Sequence, residues 1–363
     1  MKLGLGLYRH MLTPDNFRFA RQAGATHIVA HLVDYFASGP RIPQSESVGH
    51  GWGVTRNQGK LWSIEELVML RQAIEAEGLE LAAVENLDPA HWHDVLLDGP
   101  KKTEQIEDVK TIVRNLGAAG IPVLGYNFSV AGVWGHIVGP WARGGAESVG
   151  FSASTGPAES PIPNGQVWNM TYDPDAPPTE VPPTTTNQIW ARLEEFLRAV
   201  VPVAEEVGVR LAAHPDDPPL PALRGHARLV NRPELYQKLL DLYPSRANAL
   251  EFCQGTVAEM NGEMGIYEAI DAYSRQEAIA YVHFRNVRGK VPEYHEVFVD
   301  EGDVDMVEAL RSYHRNGYDG VIIPDHTPQV ACAAPWHAGM AYALGWMRAA
   351  SRFVEAEPGA SVP

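Results

Sequence analysis

Cysteine is almost absent from this 363-residue chain, which has only Cys253 and Cys332. Two thiols make no disulfide framework, which excludes the small cross-linked secreted class and fits a reducing compartment. Basic charge is also scarce: 29 Lys and Arg stand against 45 Asp and Glu, for a net charge of −16. A nucleic-acid partner would need a basic face, so none is expected. An anionic small substrate stays open, because a metal and one or two arginines can reverse the potential inside a cleft. No apolar run approaches the roughly 18–20 residues of a membrane helix, and no membrane partner is expected. The N-terminal MKLGLGLYRHM lacks a small-residue cleavage pattern, so the expected location is cytoplasmic. A glycine fingerprint for dinucleotide or phosphate is missing as well, since LYRHMLTPD follows the first apolar run.

What the chain does have is alternation. Short, near-continuously apolar runs at 2–7, 26–32, 79–85, 122–128, 209–215, 247–253, 279–284 and 320–325 read as parallel strands buried on both faces. Helical stretches separate them. Thr13-Pro14 caps and opens the first, and Ser63 with Glu66 forms a capping box for the next. Further helices are predicted over 104–117, 186–206, 232–243, 262–274, 303–316 and 336–353, with Asp303 as an N-cap. Eight βα units in succession predict a TIM (β/α)8 barrel occupying 1–355 as a single domain, with a flexible tail at 356–363. Two stretches break the rhythm. Residues 34–61 are rich in Gly, Pro and Ser, and 129–185 form a long irregular insertion after the fourth strand. Trp134, Trp141 and Trp168 inside the insertion argue against disorder. It reads either as a lid over the strand ends or as a packing surface against the barrel or another subunit.

Barrel active sites lie at the C-terminal ends of the strands. There the sequence places His31, Glu85, Asn127, His214, Cys253, His283 and Asp325. Singly, each is more simply structural. Together, His214, Cys253, His283 and Asp325 on the last four strands are most simply explained by convergence on one metal ion. Two imidazoles and a carboxylate suit Mn²⁺, Fe²⁺, Co²⁺ or Zn²⁺, and the thiolate favours Zn²⁺ or Fe²⁺. His326, next to Asp325, is a candidate general base or a hydrogen-bond partner of a ligand. Arg285 could grip a substrate carboxylate or sit in a structural ion pair. Asp216 and Asp217, within HPDDPP, either orient ligand histidines or cap the loop. His31, Glu85 and Asn127 could contact substrate hydroxyls, and His295-Glu296 could line the rim.

These motifs carry a family likeness. RQAGATHIV (21–29), AVEN (83–86), GIPVLGYNF (120–128), LAAHPDDPP (211–219), EFCQG (251–255), YVHFRNV (281–287), GDVDM (302–306) and PDH (324–326) together make the chain resemble mannonate dehydratase, a xylose-isomerase-like TIM barrel. The resemblance implies metal ligands at His214, Cys253, His283 and Asp325 and a catalytic histidine at His326. It also implies a divalent cofactor, Mn²⁺ first, with Fe²⁺, Co²⁺, Zn²⁺ or Mg²⁺ as other ions. The implied reaction removes water from a sugar acid such as D-mannonate to give a 2-keto-3-deoxy acid, by a carbohydrate-binding enzyme that forms a homo-oligomer. One departure is local. The tyrosine expected in the loop after PDH has no counterpart in PDHTPQVACAAPWHAGMAYALGW, which leaves His337 or a lid residue as the leaving-group acid. A metal-dependent sugar isomerase or epimerase of the same superfamily is the alternative.

Overall fold

The computed structural model describes residues 1–35, 53–55 and 60–357. Most of the expected irregular stretch 34–61, and 358–363 of the expected tail, lie outside the described residues. Eight parallel strands close into a barrel in chain order. They are β1 Lys2–Leu7, β2 His27–His31, β3 Glu80–Glu85, β4 Val123–Tyr126, β5 Arg210–Ala213, β6 Asn248–Cys253, β7 Ile279–His283 and β8 Val321–Ile323. Each strand is trimmed by a residue or two from the apolar run that predicts it, or matches it. The predicted TIM barrel is therefore the observed fold.

Local chemistry fixes the helices around it. Thr13 caps Pro14–Ala23, which ends at Gly24 in the left-handed region (φ 104°), a conformation that glycine adopts without steric cost. Ser63 and Glu66 close a reciprocal capping box on Ile64–Glu75, and Thr185 with Gln188 does the same for Thr186–Val207. One expected cap moves. The helix after β7 is Met306–Arg315, and Asp305 rather than Asp303 accepts from the backbone N–H groups of Val307 and Glu308. Asp303 accepts from Gly289 N instead (2.8 Å) and so ties down the preceding loop. Among the described residues no helix is long and apolar enough to cross a membrane.

Side chains alternate across a strand, so every second residue of a barrel strand points inward. The lower interior is an apolar layer of Val29, Ala83, Val123, Ala212, Tyr281, Val321 and Ile323. Moving two residues on from members of this layer changes the chemistry: Val29 gives His31, Ala83 gives Glu85, Ala212 gives His214, Tyr281 gives His283 and Ile323 gives Asp325. On β6 the inward pair is Glu251 and Cys253, and on β1 the series Gly4, Gly6 continues to Tyr8. Strand register sets these residues side by side, with His31 opposite Glu85 and Cys253 opposite His283. Asp325 lies just past β8 with φ 60°, a left-handed conformation that a short polar side chain tolerates.

The long insertion after β4 carries short strands that its Gly, Pro and Ser content conceals. Ile137–Ala142 and Ala146–Ser152 join Glu293–Val297 and Asn286–Lys290, from the loop after β7, in a four-stranded antiparallel sheet. A bridge between Glu147 and Gln329 connects the same insertion to the loop after β8. Trp141 packs its ring on His295 (5.7 Å) within this sheet.

Gly125 on β4 is where the interior tolerates no side chain. A Cβ there would meet the Tyr281 hydroxyl, Glu251 Oε2 at 2.6 Å and Glu85 Cγ at 3.2 Å. Gly125→Ala is expected to destabilise the protein by about 1–3 kcal/mol through overpacking, seen as a lower melting temperature by circular dichroism. An unchanged melting temperature would contradict this packing.

Candidate metal centre and pocket

His214, Cys253 and His283 present donor atoms that all lie within 4.8 Å of one another. Asp325 lies beside this group of three, its Oδ2 3.4 Å from His283 Nδ1. The hydrogen bonds favour ligation. His214 Nδ1 faces the Pro215 carbonyl at 2.6 Å; a carbonyl only accepts, so Nδ1 carries a proton and Nε2 is the nitrogen left to meet an ion. His283 Nδ1 is buried and has no hydrogen-bond partner, as expected of a nitrogen reserved for another ligand. Two imidazoles, a thiol and a carboxylate thus fit a transition-metal dication. Just beneath, Glu85, Glu251 and His283 form a second such group that shares His283.

The site's charges are set by burial working against close partners. Burial opposes a thiolate at Cys253, but the Arg285 guanidinium and hydrogen bonds with His214 and His283 bring it down to about 5, so this sulfur is a ready anionic ligand. Burial likewise opposes the Asp325 carboxylate, yet His283 and His326 hold it well below the usual range. In the carboxylate pair below, burial and Glu85 push Glu251 up, whereas His31 and His283 overcome burial to hold Glu85 down. His326 is partly open to the pocket. Burial lowers its pKa, but Asp325 and Glu296 outweigh that and raise it to about 9. Glu296 Oε1 accepts from His326 Nδ1 at 2.8 Å, which leaves Nε2, 3.6 Å from Asp325 Oδ1, as the basic nitrogen.

The pocket above this centre is lined by His31, Glu85, Asn127, His214, Asp217, His283, Asp325 and His326, among the residues singled out from sequence. Arg285 is not among them. Its guanidinium is buried and engaged by Asp325 (3.1 Å), Glu259 (2.5 Å), Asp217 (2.7 Å) and Thr256 (2.9 Å). Of its two readings, the ion-pair one matches the structure and the substrate grip does not. His337 is a second correction. Its Nε2 meets Asn16 Oδ1 (3.0 Å) and its ring packs on Phe19 (4.8 Å), on the helical layer away from the pocket, so it cannot serve as the leaving-group acid. Asp216 builds its loop, accepting from the N–H groups of Leu229 and Val230 and pairing with Arg228. Asp217 does more, since His136 (3.1 Å) and Tyr294 (2.8 Å) also meet it. It thereby fastens the insertion to Arg285.

Several pocket residues were not singled out from sequence: Tyr8, Tyr35, Asn86, Val133 and His136. Tyr8 stacks on His31 with ring centroids 4.7 Å apart, and Tyr35 Oη lies 3.1 Å from His31 Nδ1. Tyr8 and Glu251 had a usable signal, because both continue the two-residue inward period of β1 and β6. His136 had none, being brought in by the insertion, from which Trp168, named within it, also reaches the pocket.

The Glu296 contact has a measurable consequence. In the metal-free protein, Glu296→Gln removes a carboxylate that favours the imidazolium, so the His326 pKa is expected to fall from about 9 towards the ordinary value near ~6.5. An NMR titration of the histidine ring signals checks this, and an unchanged value would contradict the contact.

Comparison with known proteins was consistent with this geometry. A family model described as D-mannonate dehydratase (UxuA) matches residues 16–144 and 183–348, leaving out most of the insertion and both ends of the chain. The mannonate dehydratase of Streptococcus pneumoniae (strain 70585) is 31% identical over 279 residues, covering 74% of this chain and 75% of that protein. The mannonate dehydratase of Streptococcus suis (strain 05ZYH33) is 30% identical with the same coverage. A crystal structure of mannonate dehydratase from Streptococcus suis serotype2 superposes with a TM-score of 0.78 at 24% identity, over 100% of this chain and 97% of that one. D-psicose 3-epimerase from Clostridium cellulolyticum H10 shares the fold at a TM-score of 0.56 and 12% identity, over 98% of this chain and 99% of that one. The chain belongs to the D-mannonate dehydratase family, and it is a hydro-lyase of the sugar-acid dehydratase class.

Proposed function

We propose that this chain removes water from D-mannonate, or a close sugar acid, to give the 2-keto-3-deoxy acid, with Mn²⁺ held by His214, Cys253, His283 and Asp325. The observation that carries the reading is the adjacency of His214, His283 and Asp325 to His326 in one pocket, with Cys253 grouped against the two histidines. When bound, the divalent ion supplies Lewis-acid stabilisation of the charge that builds on the substrate carboxylate as the α proton leaves. His326 takes that proton at Nε2, while Glu296 fixes the tautomer through Nδ1. The β1–β2 wall supplies the proton for the departing β hydroxyl, where His31 and Tyr35 Oη share a hydrogen bond. Asn127 and Glu85 serve as contacts for substrate hydroxyls. The insertion acts as the cover, since Val133, His136 and Trp168 reach the pocket from it. A cytoplasmic homo-oligomer completes the reading, with the aromatic-rich insertion as its supporting feature.

One observation favours a second reading, a metal-dependent sugar isomerase or epimerase. Among the described residues lining the pocket none is Lys or Arg, so neither an ammonium nor a guanidinium from these residues meets a substrate carboxylate. Such an enzyme would enolise the substrate beside the ion and expel no water. Deuterium from solvent in recovered substrate or an isomer, without keto-deoxy acid, would select it.

The direct test is incubation of Mn²⁺-loaded protein with D-mannonate and assay for 2-keto-3-deoxygluconate. His326→Ala is expected to lower turnover by about 10²–10⁴-fold, the usual contribution of a general base, and Cys253→Ala to abolish it through metal loss. Metal-loaded protein that forms no keto-deoxy acid from a broad sugar-acid panel would sink the proposal. Because the base must be neutral, activity should rise with pH through the His326 pKa. Glu296→Gln should shift that rise to lower pH.

A further inference from the structure

Glu251 has no part in the chemistry above, yet it is fully buried, with the His283 ring and the Tyr281 hydroxyl as polar groups at its carboxylate. Taking a carboxylate out of water is costly, so stability alone does not account for it. It sits on β6 two residues before Cys253, hence on the same inward face and one layer lower. Its Oε1 lies 3.1 Å from His283 Nε2, and Glu85 Oε2 lies 3.2 Å from the same nitrogen. The other edge of that ring, Nδ1, faces Asp325 Oδ2 at 3.4 Å. Glu85 also borders the pocket, whereas Glu251 does not, so Glu251 can reach a substrate only through His283.

We propose that Glu251 is a positioning residue for the metal centre: with Glu85 it clamps the Nε2 edge of His283 and turns the Nδ1 lone pair towards Cys253, His214 and Asp325. The inference rests on the metal reading given above. A ligating histidine commonly has its second nitrogen anchored by a carboxylate, which fixes ring orientation and strengthens the ligand. Two anchors here would hold the ring from both sides. The competing account is a second cation between Glu85, Glu251 and His283, which would require His283 to bind ions through both nitrogens.

The test compares wild-type protein, Glu251→Gln and Cys253→Ala in metal binding. Mn²⁺ affinity is read by electron paramagnetic resonance of the free ion, and Co²⁺ is used as an optical probe of its ligands. Glu251→Gln is expected to stay folded in the metal-free state by circular dichroism. Its Mn²⁺ affinity should fall by about 10–100-fold, the usual cost of losing such an anchor, and its Co²⁺ ligand-field bands should change while the thiolate-to-cobalt band persists. Glu251→Asp, which withdraws the carboxylate by one methylene, should weaken binding in the same direction and serves if the glutamine variant does not fold. Wild-type affinity and spectrum in a folded variant would overturn the proposal. So would two ions per wild-type chain falling to one in Glu251→Gln. A wild-type Co²⁺ protein without a thiolate band would instead overturn the metal reading itself, which separates the two failures.

Discussion

The arrangement depends on one buried cation. Arg285 lies past the end of β7, and its guanidinium meets Asp217 after β5, Glu259 after β6 and Asp325 after β8. Glu296, on the insertion sheet, is 3.4 Å away. A buried ion cluster adds little stability over a well-packed apolar one, but breaking it by removing one partner typically costs about 3–5 kcal/mol. Its value here is geometric. A single fork-shaped group sets the mutual positions of four strand-end segments, favours the Cys253 thiolate and orients Asp325. Asp217 extends the same network to His136, so the insertion and the candidate donor residues are held by one connected set of polar contacts.

Above the apolar layer, the inward side chains form a vertical gradient. Glu251 and Glu85 lie beneath His283, the donor set lies at the level of the strand ends, and His326 stands at the pocket. Each level constrains the next, because a closed barrel leaves inward residues no other direction to turn. The glycine at position 125 provides the room in which the carboxylates and Tyr281 meet. That explains how two acidic side chains come to lie side by side in an interior whose lower layer is wholly aliphatic and aromatic.

The barrel was legible in the sequence because each strand is a near-continuous apolar run between helices with visible caps. The donor set was legible for the same reason, since His214, Cys253, His283 and Asp325 each end such a run. Side-chain partners were not. Arg285 keeps the spacing of an inward residue, but the chain leaves the strand at His283, and the acids that surround it come from four separate segments. His337 follows Trp336 on a helix whose packing against Phe19 no local pattern reveals. The strands of the insertion were hidden because Ile137–Ala142 includes Gly139 and Pro140, and because its neighbour Ala146–Ser152 finds its other partner in Glu293–Val297, far along the chain.

The central claim is a thiolate-containing metal centre built from β5 to β8, and X-ray absorption of the zinc-loaded protein tests it most directly. The account predicts one sulfur neighbour at about 2.3 Å with nitrogen or oxygen neighbours at about 2.0–2.2 Å, and loss of the sulfur shell in Cys253→Ala. A first shell of nitrogen and oxygen alone in the wild-type protein would contradict it.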